Sequence, residues 1–160
     1  LLSRGNNTFQ VSSSDLSHTE SREIPTELKF EFKLNNYVKS YQDETYFNFS
    51  LDKNELKYTL EKTRGDIPLE MKYTLDETTC VDLELPPNTE CTYLPENSSY
   101  IKSDYGYSIE YQKKKDSIVM RKHFFCNKLL ILPAEFDQWT ALLNSMNKAY
   151  NESIILKQKK

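Results

Sequence analysis

The sequence predicts an all-β fold: a mainly antiparallel β-sandwich with one C-terminal α-helix. Two patterns carry that reading. Five short stretches alternate apolar and polar residues with period two, and one later stripe repeats with the period of a helix. Successive strand side chains point to opposite faces, so strict alternation gives one buried and one wet face, as in antiparallel sheets packed face to face. The 11 Tyr and 8 Phe supply nearly all of the aromatic content, which suits strands.

Residues 1–24 are polar and Ser-rich and read as a linker or tail, with room for one edge strand near Thr8–Ser12. The alternative is a first strand whose partners lie upstream. The sandwich domain then occupies residues 25–160. Pro25 opens the first alternating stretch, Leu28, Phe30, Phe32 and Leu34 between Lys29, Glu31 and Lys33. Asn35-Asn36 turns the chain, because Asn tolerates positive φ. Tyr37–Tyr41 and Tyr46–Leu51 continue as strand pieces around a polar corner. The charged segment Asp52–Arg64 reads as a short helix or an irregular excursion, with Leu56 and Leu60 at i, i+4.

Arg64-Gly65-Asp66 is a turn; it matches a cell-adhesion tripeptide, but a Gly-centred turn between charges explains it. Strands are then predicted at Leu69–Leu75 and Thr79–Leu85, the second stopped by Pro86-Pro87, which cannot donate to a ladder. Further strands are predicted at Glu90–Leu94, Ser98–Lys102, Tyr105–Lys113 and Ser117–Leu132, with a solvated hairpin turn at Lys113-Lys114-Lys115-Asp116. Pro133 suits a first helical turn, and Glu135 and Asp137 place negative charge at its positive dipole end. Phe136, Trp139, Leu143, Met146 and Tyr150 make one stripe over a helix at about 134–150, read as core packing against a sheet. Ile154–Lys157 forms a short last strand.

The chemistry-bearing residues are sparse. A 160-residue chain is one domain, and a net charge of −3 supplies no basic field for nucleic acid. The apolar run Leu129–Leu132 is far short of a membrane span. The chain starts at Leu1 without an export signal and reads as part of a longer polypeptide. Three Cys leave at least one thiol free, with a Cys80–Cys91 bridge left open. Cysteine nucleophiles need a nearby imidazole. His18 lies in the polar tail, and His123 and Cys126, three apart on a strand, point to opposite faces. Cys126 after Phe124 and Phe125 reads as a small core residue. Zinc-ligand spacing, an EF-hand loop and phosphate-binding glycine motifs are all missing from the sequence. Catalytic, cofactor-binding and metal-binding residues are therefore all read as none, and the chain is not expected to be an enzyme. Four N-x-[ST] sequons, at Asn6, Asn48, Asn97 and Asn151, matter only in a secretory setting.

Several of these stretches resemble a bacterial family, the β-rich domain at the C-terminal end of exported transglutaminase-like proteins. They are ELKFEFKLNNYVKSYQDETYFNFS at 27–50; Lys62–Leu75 with Arg64, Pro68 and Tyr73; VDLELPPNTECTYLPEN at 81–97; Leu132-Pro133-Ala134-Glu135-Phe136; and Ile155-Leu156-Lys157. The resemblance covers about residues 25–160. It implies an extracytoplasmic, periplasmic or envelope-associated location and a neighbouring transglutaminase-like domain whose Cys, His and Asp lie outside this chain. The function it implies is a non-catalytic accessory domain that supports or docks that neighbour, or meets an envelope protein or glycan. The alternative is an autonomous carbohydrate- or peptide-binding module. Tyr side chains gathered on one exposed face would favour glycan stacking.

Overall fold

The computed structural model describes residues 8–51 and 65–159. Its elements run in the order β1 (Phe9–Ser17), β2 (Glu27–Leu34), β3 (Lys39–Tyr41), β4 (Glu44–Phe47), β5 (Leu69–Glu70), β6 (Leu75–Glu84), β7 (Thr89–Tyr93) and β8 (Ser98–Ile101). They continue with β9 (Tyr105–Lys113), β10 (Ser117–Cys126), β11 (Leu130–Ile131), a 3-10 turn (Pro133–Glu135), α1 (Phe136–Tyr150) and β12 (Ile154–Gln158). The fold is all-β with one C-terminal helix. Where the alternation predicts two sheets, the described strands form four: β6-β10-β9-β8, β3-β4-β12-β7, and the pairs β1-β2 and β11-β5.

The β6-β10-β9-β8 sheet is central and carries the largest single share of the core. Its inner face presents Leu75 from β6, Tyr107 and Ile109 from β9, and Ile118, Met120, Phe124 and Cys126 from β10. These join Cys91, Ile154 and Leu156 of the second four-stranded sheet, and Phe49, in a single buried cluster. The period-two rule is fully legible along β10, where Ile118, Met120, Lys122, Phe124 and Cys126 are all buried while the residues between them are not. Lys122 is the one charged side chain of that row; its ammonium lies 4.2 Å from the centre of the Tyr150 ring, a cation–π contact.

Two predicted strands are broken, for related reasons. Leu69–Leu75 does not run as one strand: β5 stops at Glu70, and Tyr73 turns out to solvent although Leu69, Met71 and Leu75 are buried. The Met71 N–H donates to the Leu129 carbonyl at 2.8 Å and β5 pairs with β11. Ser117–Leu132 likewise ends at Cys126, where the Asn127 N–H donates to the Asp104 carbonyl at 2.7 Å, and Leu130–Ile131 leave for β5. Each segment exchanges one sheet for another at the same place. Residues 9–17, inside the stretch read as a linker or tail, form β1 and pair along β2. The helix or excursion expected at Asp52–Arg64 lies outside the described residues.

The helix closes the inner face. Trp139 and Leu142 are fully buried, with Leu143 and Met146 beside them and Phe136 partly buried at the edge. The Trp139 ring meets the Tyr105 ring edge-on at 5.2 Å between centroids. Tyr107, fully buried, carries its hydroxyl between Ser98 Oγ on β8 at 2.7 Å and Ser145 Oγ on α1 at 2.6 Å. A buried hydroxyl without partners is costly, so this relay is the polar condition on which the helix seats. At the helix start Glu135 accepts from the Leu132 N–H at 3.1 Å and from Lys128 Nζ at 2.6 Å. The Lys128 bond holds the Glu135 carboxyl below its ordinary value of 4.5.

Trp139→Ala is expected to cost about 3–5 kcal/mol, and Tyr107→Phe about 1–3 kcal/mol by leaving two serine hydroxyls unpaired; urea unfolding measures both. The depressed Glu135 value stabilises the fold above the ordinary glutamate range, and that contribution is lost as pH falls through the folded value. Glu135→Gln should therefore lower the melting temperature at pH 7, with wild type and variant converging once the pH drops below the depressed folded value.

Candidate functional site

The even-numbered residues of β10 enter the core, so the odd-numbered ones form the outer face of the central sheet. Register places Thr78, His123 and Ser108 side by side across β6, β10 and β9, and Cys80, Arg121 and Glu110 in the next row. Thr78, Ser108, Glu110, Arg121 and His123 line a depression of about 270 Å³ on that face. His123 Nε2 lies 2.8 Å from Asp76 Oδ1, and the imidazole stacks on the Phe125 ring at 5.5 Å between centroids. Phe125 stands opposite Gly106 of β9. A Cβ at Gly106 would lie 3.0 Å from Phe125 Cε1 and 2.8 Å from the Tyr100 carbonyl oxygen. The glycine thus lets the ring lie down on the sheet.

Arg121 and Glu110 are direct cross-strand partners in the ladder, yet neither makes an ion pair or a hydrogen bond with another described residue. The Thr78 and Ser108 hydroxyls are likewise unengaged among the described residues. The depression therefore offers a guanidinium fork, a carboxylate and two hydroxyls, with an Asp-held imidazole along one side.

The residues singled out from the sequence are dispersed. His123 and Cys126 lie on opposite faces of β10, one in the depression and the other in the core. His18 sits at the end of β1 with φ of 61°. Cys80, Cys91 and Cys126 are all free thiols, so the open question of a Cys80–Cys91 bridge resolves against it. Burial raises the thiol pKa of both Cys91 and Cys126, which opposes nucleophilic use. Of the lysine turn, Lys113 Nζ donates to the Cys91 carbonyl at 2.9 Å and Lys114 lies 3.4 Å from Asp82. Gly65 turns with φ of 60°; Arg64 lies outside the described residues.

The Asn48 amide of one sequon is occupied, donating to the Tyr150 and Glu152 carbonyls at 3.1 and 2.9 Å. Asn97 Oδ1 accepts from the Tyr111 N–H at 2.8 Å, and Asn151 Nδ2 bonds Asn147. Tyr105 and Tyr107 are core residues, and burial pushes the Tyr111 phenol up to about 12. The exposed Tyr41 and Tyr93 lie on β3 and β7, the two edge strands of one sheet, and the exposed Tyr73 lies before β6. Among the described residues no group of three or more His, Cys, Asp or Glu side chains could hold a metal ion, and no helix is long and apolar enough to cross a membrane.

A second surface feature is the β1-β2 hairpin. Phe9, Val11, Ser14 and Leu16 oppose Leu34, Phe32, Phe30 and Leu28 on one face, and the other face carries Lys29, Glu31 and Lys33. A bulge between Val11 and Ser13 makes this possible. Without it, Ser13 and Asp15 would continue the face of Phe9 and Val11; the extra residue brings Leu16 there instead. The Phe9 and Phe32 rings stack at 4.6 Å. The face that the alternation predicts as buried is nonetheless open. Val11, Leu16, Leu28 and Phe32 are 42, 56, 46 and 38% exposed, and no residue of the hairpin belongs to the core.

Fold and surface together define a small all-β domain, sealed by one helix, whose distinctive groups lie on sheet faces. The chain belongs to a family of domains of unknown function that has a solved structure (DUF3858), which matches residues 39–156. That span runs from β3 into β12 and includes the whole depression; the hairpin lies before it. No curated protein and no solved structure matches the chain.

In the native protein a thiol reagent should label Cys80 within minutes and leave Cys91 and Cys126 unmodified, while denaturation without reductant should release three thiols. Gly106→Ala should destabilise by about 1–3 kcal/mol through the clash with Tyr100 and Phe125, as measured by chemical denaturation.

Proposed function

We propose that this chain is a non-catalytic accessory domain that docks onto a neighbouring domain of the same polypeptide. The sequence resemblance supplies the neighbour, a transglutaminase-like domain of an exported bacterial protein. The observation that supports docking is the apolar face of the β1-β2 hairpin. A lone two-stranded hairpin is marginal in water, and a bulge placed so as to collect Leu16 with the phenylalanines favours a face that receives a cover. Separation of His123 from Cys126, and the raised thiol values, support the non-catalytic part of the reading.

A second reading, a carbohydrate- or peptide-binding module, is favoured by one observation, the polar depression on the central sheet.

The docking test is hydrogen exchange on the isolated chain and on the natural polypeptide that carries it. Amides of β1 and β2 should exchange quickly in the former and at least tenfold more slowly in the latter. Val11→Asp and Leu28→Asp, both at exposed positions, should remove that protection while leaving the isolated chain's melting temperature within a few degrees of wild type. Equal exchange in both settings, or a natural polypeptide with no transglutaminase-like neighbour, would overturn the proposal. The isolated chain should show no transamidase, peptidase or hydrolase activity.

A further inference from the structure

We infer that the depression on the outer face of the central sheet is a binding site for a neutral saccharide. Its lining is a mixed polar set. Arg121 and Glu110 face each other across a ladder with neither paired, and the Thr78 and Ser108 hydroxyls are unengaged among the described residues. A guanidinium donates two parallel hydrogen bonds, a carboxylate accepts two, and each hydroxyl does either. Neighbouring hydroxyls of a sugar ring both donate and accept, so a ligand of that class satisfies a mixed set that a purely anionic or purely cationic ligand does not.

Charge supports the same class. The positive group Arg121 and the imidazole of His123 stand against the carboxylates of Glu110 and Asp76, the latter 2.8 Å from His123. An anion would meet the Glu110 carboxylate beside the guanidinium. A cation would meet the guanidinium. A neutral ligand meets neither penalty.

The imidazole of His123 closes one side of the lining, held by Asp76 at 2.8 Å and by its stack on Phe125. The volume of about 270 Å³ falls just below the range of drug-sized sites, roughly 300 Å³ upward, and suits one or two rings at the surface. Sugar binding here is independent of docking, because the depression and the hairpin share no residue.

The test is titration of the full chain, labelled for amide NMR, with cellotriose, chitotriose and maltotriose as neutral probes, and with inorganic phosphate and a neutral tetrapeptide as the contrasting classes. Saturable shifts from at least one trisaccharide, centred on residues 78, 108, 110, 121, 123 and 125, are the expected result. Arg121→Ala and Glu110→Gln should each weaken that binding at least tenfold and leave the remaining spectrum folded; Glu84→Gln, outside the depression, should not. Binding of none of the three sugars, shifts centred elsewhere, or preferential binding of phosphate or peptide at these residues would each overturn the inference.

Discussion

The seating of α1 on the inner face of the central sheet is the constraint on which the structure depends. Alternation leaves that face apolar, and the helix covers the β8-β9 side of it through Trp139 and Leu142. Tyr107 adds a polar requirement, because its hydroxyl reaches its partners only when β8 supplies Ser98 and the helix supplies Ser145. The fit is directional where burial alone is not. Helix position then fixes the path of the chain beyond it: shortly after Asn151 the chain enters β12, which lies between β4 and β7 in the second four-stranded sheet. One helix thereby sets both the cover of one sheet and the entry point of the middle strand of the other.

The same two-residue period that builds the core builds the outer face. Each inward residue of β10 commits its neighbour to the outside, so Arg121 and His123 are held by the burial of Met120, Lys122 and Phe124. The side chains of the depression stand on three paired strands, which gives them a spacing that a loop would not hold. Gly106 shows the reverse dependence, in which an outward group shapes the sheet: the ring of Phe125 needs the space that a side chain there would fill.

Legibility in the sequence depended on which signals are local. Tyr105–Lys113 coincides with β9, and the stripe around Trp139 coincides with α1, because alternation, a Pro and a helical period each lie within a few residues. The breaks at Glu70 and Cys126 were not legible; they depend on bonds to Leu129 and Asp104, which no nearby residue announces. The alternation of β2 predicts a strand but not an open face, since alternation says which residues share a face and not what lies on it. The bulge in β1 hid that strand inside a polar segment by shifting Leu16 out of step with Phe9 and Val11. The depression escaped for the same reason as the breaks. Thr78, Ser108, Glu110 and Arg121 are ordinary polar positions of three separate strands, and only the register brings them together.

The position of β12 governs the order of assembly. Residues 154–158 pair on one side with residues 44–47 and on the other with residues 89–93, so the second four-stranded sheet has no continuous ladder until the stretch synthesised last of the three is in place. During synthesis β4 and β7 wait with open edges while the central sheet, whose strands all lie within residues 75–126, can already pair. Closing loops of this length is slow compared with forming a hairpin. Until β12 is in place, the edges of β4 and β7 that it covers in the folded domain are open to pairing with other chains.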